Sequence, residues 1–256
     1  MSRFLDEQFS LAGEVAVVTG GTGELCGAMA EGFARAGAKV VLVGRDPAKA
    51  EKRVAAIQAA GGEARFIAAD VTRKAEMERV AKDVGFFTIV LNGAGTNSPT
   101  PFLEISDEEM QRILDTNYKS VVFGCQVFGQ RLLEQKKGGV ILNITSMSAI
   151  RPLSRVFTYS ASKAAVLNLT MNLAREWAPQ GVRVNALSPG FFPAEQNRKI
   201  LQPERVAKIL AHTPMGRFGE AKELMGAAVF LCARGAGSFV TGCHLTVDGG
   251  FSSMEF

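Results

Sequence analysis

Short runs of β-branched and aliphatic residues alternate with amphipathic stretches along almost the whole chain. Residues 15–19 (VAVVT), 39–43, 64–68, 88–92, 140–145, 183–187 and 244–248 are predicted strands. Between them, helices are predicted over 25–36, from Asp46-Pro47 to Gly61-Gly62, over 75–83, from Ser106 to about 134, and over 159–177 and 220–233. Pro47 suits a first helical turn, and Ser106 with Glu109 forms a capping box. Val166, Leu169, Leu173 and Trp177 lie along one stripe of the 159–177 helix. The strands are continuous apolar runs rather than alternating ones, which is the pattern of a parallel sheet covered on both faces. Only 190–217 breaks the rhythm, and its length and mixed polarity suggest a substrate lid. No repeat or composition break divides the chain, so a single doubly wound α/β domain over 1–256 is expected.

Composition narrows the possibilities. At 256 residues and 47% hydrophobic, the chain can build a large core without a disulfide or metal staple, and it is too apolar to be disordered. Its net charge of +4 is spread among acids, and no nucleic-acid motif accompanies it. Asp6 and Glu7 stand where a signal peptide would need apolar residues, and no apolar run approaches the ~20 residues of a membrane span. Cys26, Cys125, Cys232 and Cys243 form neither a CxxC pair nor a zinc spacing, which predicts reduced thiols, a cytoplasmic protein and no metal site. With two histidines, His212 and His244, and no GxSxG elbow, a Ser-His-Asp hydrolase is excluded.

Two segments carry candidate chemistry. Directly after the first strand comes TGGTGELCGAMA (19–30), a glycine-rich strand-to-helix turn of the kind that lets backbone N–H groups approach a pyrophosphate. In YSASK (159–163), Tyr159 and Lys163 stand four apart on one helical face, where an ammonium would draw the phenol below its usual pKa of about 10 and prepare it for proton transfer. Ser146 ends the NITS strand thirteen residues upstream, placed to bind a substrate oxygen.

Taken with AADV (68–71), NGAG (92–95), Asn117 in DTNYKS, SPG (188–190) and VTGCHLTVDGG (240–250), these motifs resemble the short-chain dehydrogenase/reductase family in order and spacing over essentially the whole chain. The resemblance implies a Rossmann sheet of about seven parallel strands and a homotetramer or homodimer packed through the helices that carry Asn117 and Tyr159. It implies that Ser146 holds the substrate oxygen, Tyr159 transfers the proton, Lys163 binds the nicotinamide ribose and tunes Tyr159, and Asn117 supports a water relay. Gly20, Thr22, Gly23, Glu24 and Leu25 would line the pyrophosphate, Asp70 and Val71 the adenine, and Asn92, Gly93, Ala94, Gly95, Pro189, Gly190 and Phe192 the rest of the cofactor. An acidic residue at the end of the second strand would select NAD. Arg45 stands there after Gly44, so NADP(H) is favoured, with NAD(H) possible because Arg can also stack on adenine.

Several residues depart from the family pattern. Its TGxxxGxG loop would place glycines at 24 and 26, where this chain has Glu24 and Cys26; NGAG replaces NNAG; and Ala194 stands where Thr is common. Glu24 would repel a pyrophosphate, and Cys26 is expected to push the helix or the cofactor outward, which keeps a cofactor-binding protein without turnover as an alternative. IRPLSRVFTYSASK (150–163), SPGFFPAEQNR (188–198) and HTPMGRFGE (212–220) resemble the branch acting on sugar acids such as mannonate/fructuronate or gluconate. Arg151 or Arg155 could clamp a substrate carboxylate or could be surface or interface residues, while Gln196 and Asn197 could bind hydroxyls. Phe191-Phe192 would equally suit a simple ketone or a 3-oxoacyl thioester.

Overall fold

The computed structural model describes residues 3–193 and 202–254. Seven strands, β1 (Val15–Thr19), β2 (Lys39–Gly44), β3 (Glu63–Ala68), β4 (Ile89–Asn92), β5 (Gly139–Ile144), β6 (Val182–Pro189) and β7 (His244–Val247), pair in the order β3-β2-β1-β4-β5-β6-β7. Every pairing is parallel. Among the described residues the helices are α1 (Arg3–Phe9), α2 (Glu24–Arg35), α3 (Pro47–Ala59), α4 (Lys74–Val84), α5 (Asp107–Leu114), α6 (Ser120–Gln135), α7 (Phe157–Trp177), α8 (Pro203–Ala211) and α9 (Glu223–Cys232).

Successive strand residues point to opposite faces, and both faces are covered. From β1, Ala16 and Val18 join Met29 and Phe33 of α2 and Leu224 and Leu231 of α9 in one core. Val17 enters the other, with Met77 of α4, Phe128 of α6 and Trp177 of α7. This two-sided burial is why the strands read as unbroken apolar runs. The chain winds outward from β1 through β2 to β3, then returns to β4 on the other side of β1. The connections after β1 and β4 therefore leave in opposite directions and open a crevice at the carboxyl ends of the strands.

Local signals behave as read. Asp46 caps α3 by accepting from the Lys49 backbone N–H at 3.1 Å, and the Ser106 hydroxyl accepts from that of Glu109 at 3.2 Å. The helix expected from Ser106 to about 134 is interrupted by a π-helical turn, Asp115–Lys119, between α5 and α6, where the Ser120 N–H reaches back five residues to the Asp115 carbonyl. One inserted residue per turn barely disturbs a hydrophobic pattern, so periodicity does not reveal it. Helix α1 escaped the pattern because none of its residues is buried; it is tied down by the Ala236 N–H donating to the Gln8 carbonyl at 2.8 Å. Helix α9 begins at Glu223 rather than 220, because the Glu223 carboxylate is drawn back to the Glu220 N–H and the Arg217 guanidinium. Within the expected lid, α8 is helical, and 194–201 lie outside the described residues.

Candidate active site

The crevice is a cleft of about 1610 Å³ that runs from the β2–β3 edge past β1 and β4 to the ends of β5 and β6. The loops after β1 and β4 meet at its centre. Gly20 adopts φ +71°, and a Cβ there would lie 2.8 Å from the Ala94 backbone nitrogen, so the turn needs glycine on both counts. Helix α2 starts with Gly23 as its N-cap, which offers no side chain to the first N–H groups and leaves them for an anion in the cleft. Gly20, Thr22, Gly23, Glu24 and Leu25 all line the cleft, as do Gly93, Ala94, Gly95, Pro189 and Gly190. These residues fit a dinucleotide, despite the Glu24 carboxylate at the helix start.

At the β2 end, Arg45 is exposed on the rim, with Asp70 and Val71 beside it. Burial raises the Asp70 carboxyl, but hydrogen bonds from the Thr72 N–H (3.0 Å) and hydroxyl (2.8 Å), with the charges of Arg45 and Arg73, outweigh it and hold Asp70 below the usual carboxylate range. Asn92 does not line the cleft. It is buried beneath it, donating to the Asn143 side-chain oxygen at 3.0 Å. Phe192 is also placed otherwise than expected. Its ring turns away from the cleft and packs where a Cβ on Gly219 would be, while Phe191 takes the cleft-lining position. The two side chains diverge because consecutive extended residues face opposite ways.

At the inner end Ser146, Tyr159 and Lys163 converge. The Ser146 hydroxyl accepts from the Ser148 N–H (3.2 Å) and hydroxyl (3.1 Å), leaving its own proton for the cleft. Lys163 is buried, donates to the Ile144 carbonyl at 2.8 Å, and holds its Nζ 5.7 Å from the centre of the Tyr159 ring. Burial brings Lys163 down to about 8, partly opposed by the nearby Cys26 thiol. The lowered phenol expected from sequence is not found. Burial pushes Tyr159 above its ordinary value, the Ser146 hydrogen bond only partly offsets this, and the ammonium is directed at a carbonyl instead of the phenol. Asn117 sits in the π turn and is fully enclosed. Its side chain accepts from the Thr96 N–H (2.7 Å) and donates to the Thr96 carbonyl (2.9 Å) and the Ser162 hydroxyl (3.1 Å), clamping the β4 loop to α7.

The Lys163 shift has a measurable consequence for the cofactor-free protein. The unfolded chain holds this proton up to about 10.5 and the folded one only to about 8, so between these values the unfolded state binds more protons and stability rises with pH. The buried thiols of Cys26, Cys125 and Cys232, pushed up from 9.0 to about 12, act in the opposite sense above pH 9. Denaturation of wild type and Lys163→Met across pH 7–10 isolates the first effect: the difference in stability between them shifts in favour of wild type as pH rises through 8. A difference independent of pH would contradict the assigned burial.

Cys26 lines the cleft, but its thiol is directed at the neighbouring loop. Its thiol turns beneath the β4 loop, donates to the Gly93 carbonyl at 3.4 Å and occupies the space that a side chain at position 93 would take. A Cβ on Gly93 would overlap its sulfur outright and lie 2.8 Å from Leu91 Cδ2. Two of the departures from the family loops are thus one exchange: bulk gained at 26 is bulk lost at 93.

Of the two candidate carboxylate clamps, Arg155 lines the cleft from a left-handed backbone at φ +61°, an uncommon conformation for a residue with a side chain. Arg151 does not line it and instead donates from Nε to the Ser252 carbonyl at 2.7 Å. Ala194, Gln196 and Asn197 lie outside the described residues. Arg205, Lys208 and His212, from α8 and its C-cap, and Phe251 also border the cleft, none of them assigned a site role from sequence. Arg205, Lys208 and His212 belong to the segment read as a lid, and His212 opens the HTPMGRFGE stretch, whereas Phe251 follows the last strand and carries no motif.

This arrangement defines a nicotinamide-dependent oxidoreductase, and the comparisons agree. The family described as enoyl-(acyl carrier protein) reductase matches residues 24–252, and the chain belongs to the short-chain dehydrogenase/reductase family. It is 39% identical to the uncharacterized oxidoreductase UxuB of Bacillus subtilis (strain 168), over 96% of this chain and 97% of that one. It is 36% identical to gluconate 5-dehydrogenase of Gluconobacter oxydans (strain 621H), over 95% and 96% respectively. The crystal structure of a gluconate 5-dehydrogenase from Burkholderia cenocepacia J2315 in complex with NADP and tartrate superimposes with a TM-score of 0.91 at 30% identity, covering 98% of this chain and 99% of that one. The protein is an NAD(P)-dependent oxidoreductase.

Proposed function

We propose that the protein interconverts a secondary alcohol and a ketone on a sugar acid of the gluconate type, with NADP(H) as the preferred cofactor. The observation that carries this reading is the placement of a cationic side chain, Arg155, in the same cleft as Ser146 and Tyr159, which Arg205 and Lys208 of α8 also line. A hydroxylated carboxylate bound with its reacting carbon at Tyr159 meets positive charge at its other end. The names of the relatives, gluconate 5-dehydrogenases among them, support the same class.

In the reducing direction the Ser146 hydroxyl donates to the ketone oxygen, and Tyr159 gives it the proton as the alcohol forms; oxidation reverses both. The bound nicotinamide supplies or accepts the hydride. Lys163 keeps its charge below pH 8, with its Nζ 5.7 Å from the centre of the Tyr159 ring and bonded to the Ile144 carbonyl, and the hydrogen bond from Ser146 favours the phenolate left after proton transfer. Asn117 fixes the loop and helix that frame these groups, and its engaged side chain leaves any relay contact to its main chain. Because reduction needs the protonated phenol and oxidation the phenolate, alcohol oxidation speeds up toward alkaline pH.

The test is a panel of D-gluconate, D-mannonate, 5-keto-D-gluconate, simple ketones and 3-oxoacyl thioesters with both nicotinamides. Preferential turnover of the sugar acids supports the reading; preference for the thioesters or neutral ketones overturns it. Arg155→Leu raises KM for an acid substrate at least about tenfold more than for a matched neutral ketone, the worth of one charge-assisted hydrogen bond of roughly 1.5 kcal/mol. Arg45→Ala weakens NADPH binding by a similar factor and leaves NADH unchanged, since only NADPH carries the 2′-phosphate. Equal losses in a fluorescence titration would show that Arg45 stacks on adenine instead.

The exposed apolar side chains of Met110, Phe157 and Met171, on α5 and α7, support a homodimer or homotetramer built on those helices. Light scattering of the purified protein tests it. Among the described residues no helix is long and apolar enough to cross a membrane, and the free cysteines accord with a cytoplasmic enzyme.

A further inference from the structure

Beyond the proton-transfer residues, the far wall of the cleft is made by the end of the described chain. Phe251 is buried, with its ring centre 5.2 Å from that of Phe191 and 4.5 Å from that of His212, and all three line the cleft. The turn that carries Phe251 is built around Asp248. One carboxylate oxygen accepts from the Gly250 N–H at 2.9 Å, and the other accepts from the Ser252 N–H at 2.9 Å and the Ser252 hydroxyl at 2.5 Å. Gly190 closes onto the same residue: a Cβ there would lie 2.6 Å from the Asp248 Cα. Two further ties hold the turn: the Met215 N–H donates to the Gly249 carbonyl at 3.1 Å, and Arg151, five residues after Ser146 and eight before Tyr159, donates to the Ser252 carbonyl.

We infer that Phe251 is a specificity-determining residue that limits the size of the substrate beyond its reacting carbon, and that Arg151 is a positioning residue latching this wall to the loop between Ser146 and Tyr159. A buried ring packed against both Phe191 and His212 cannot swing aside for a larger group without breaking aromatic packing. The latch explains why a cation five residues from Ser146 faces a main-chain carbonyl: a guanidinium at that point joins the 147–156 loop to the C-terminal turn, so displacement of the turn loosens the frame around Ser146.

The inference rests on reading this end of the cleft as the substrate site, but not on the substrate being a sugar acid, so the test uses neutral esters of two sizes. Reduction of ethyl 2-oxobutyrate and ethyl 4-phenyl-2-oxobutyrate with NADPH is compared in wild type and Phe251→Ala. The variant raises the ratio of kcat/KM for the large ester over the small one by tenfold or more, while NADPH affinity stays as in wild type. An unchanged ratio, or no gain on the large ester, overturns the wall. For the latch, hydrogen exchange at the 250–253 amides is measured in the NADPH complex: faster in Arg151→Met, and partly restored in Arg151→Lys, which keeps a cationic donor without the guanidinium's planar shape. Unchanged exchange in Arg151→Met overturns it. A sugar-acid reading that fails shows itself separately, as absent turnover of 5-keto-D-gluconate by wild type.

Discussion

In Tyr159→Phe, turnover falls by about 10²–10⁴-fold, the typical contribution of a positioned general acid or base, while NADPH affinity is unchanged. The substitution removes one oxygen. The phenyl ring keeps its place on α7, so the packing of Lys163 and its bond to the Ile144 carbonyl persist. What disappears is the phenol hydroxyl and its proton, beside Ser146 at the end of β5. The loss therefore falls on kcat, and a cofactor titration separates it from a collapsed site. Retention of more than about a tenth of wild-type kcat would remove Tyr159 from this role, because one missing proton-transfer group costs at least about tenfold more than that.

Gly93→Asn produces the other large effect. The new Cβ overlaps the Cys26 sulfur and crowds Leu91 and Ile144, and Cys26 is buried at the start of α2 with little room to rotate. Overpacking of this kind costs about 3 kcal/mol, and here it displaces the β4 loop on which the cofactor would lie. The variant should melt lower and bind NADPH poorly. Cys26→Gly alone should also lose stability, by up to about 1 kcal/mol for glycine in a helix and more for the emptied space. Combined, the two substitutions should recover most of the loss, a coupling that a double-mutant cycle reads directly. Additive losses would mean that positions 26 and 93 do not exchange volume, and that Cys26 is an independent defect of the cofactor loop.

Much of this protein was legible as pattern. Seven apolar runs became seven parallel strands, and the caps at Asp46 and Ser106 formed as read, because buried strands and helix termini obey local rules. YSASK placed Tyr159 and Lys163 on one face because four residues make about one helical turn. Their charge state was not legible. The spacing suggests a lowered phenol, but desolvation, which depends on everything packed around α7, raises Tyr159 and lowers Lys163. The resemblance points to Phe192 as the cofactor neighbour, whereas the turn after β6 gives the cleft to Phe191.

The sequence by itself determined the doubly wound class of fold, the succession of strands and helices along the chain and, through its motifs, the resemblance to the family, since each of these resides in short segments whose chemistry survives without neighbours. Only the tertiary structure decided what depends on contact between distant segments. It paired Cys26 with Gly93 across two loops, and it turned Arg151 from a candidate substrate clamp into a tie to Ser252, 101 residues away. It also brought Phe251 into the lining of the cleft. Such pairings are settled by volume and hydrogen-bond satisfaction in a close-packed interior, where every buried donor must find a partner and every side chain a matching gap. No window of sequence contains both halves of that fit.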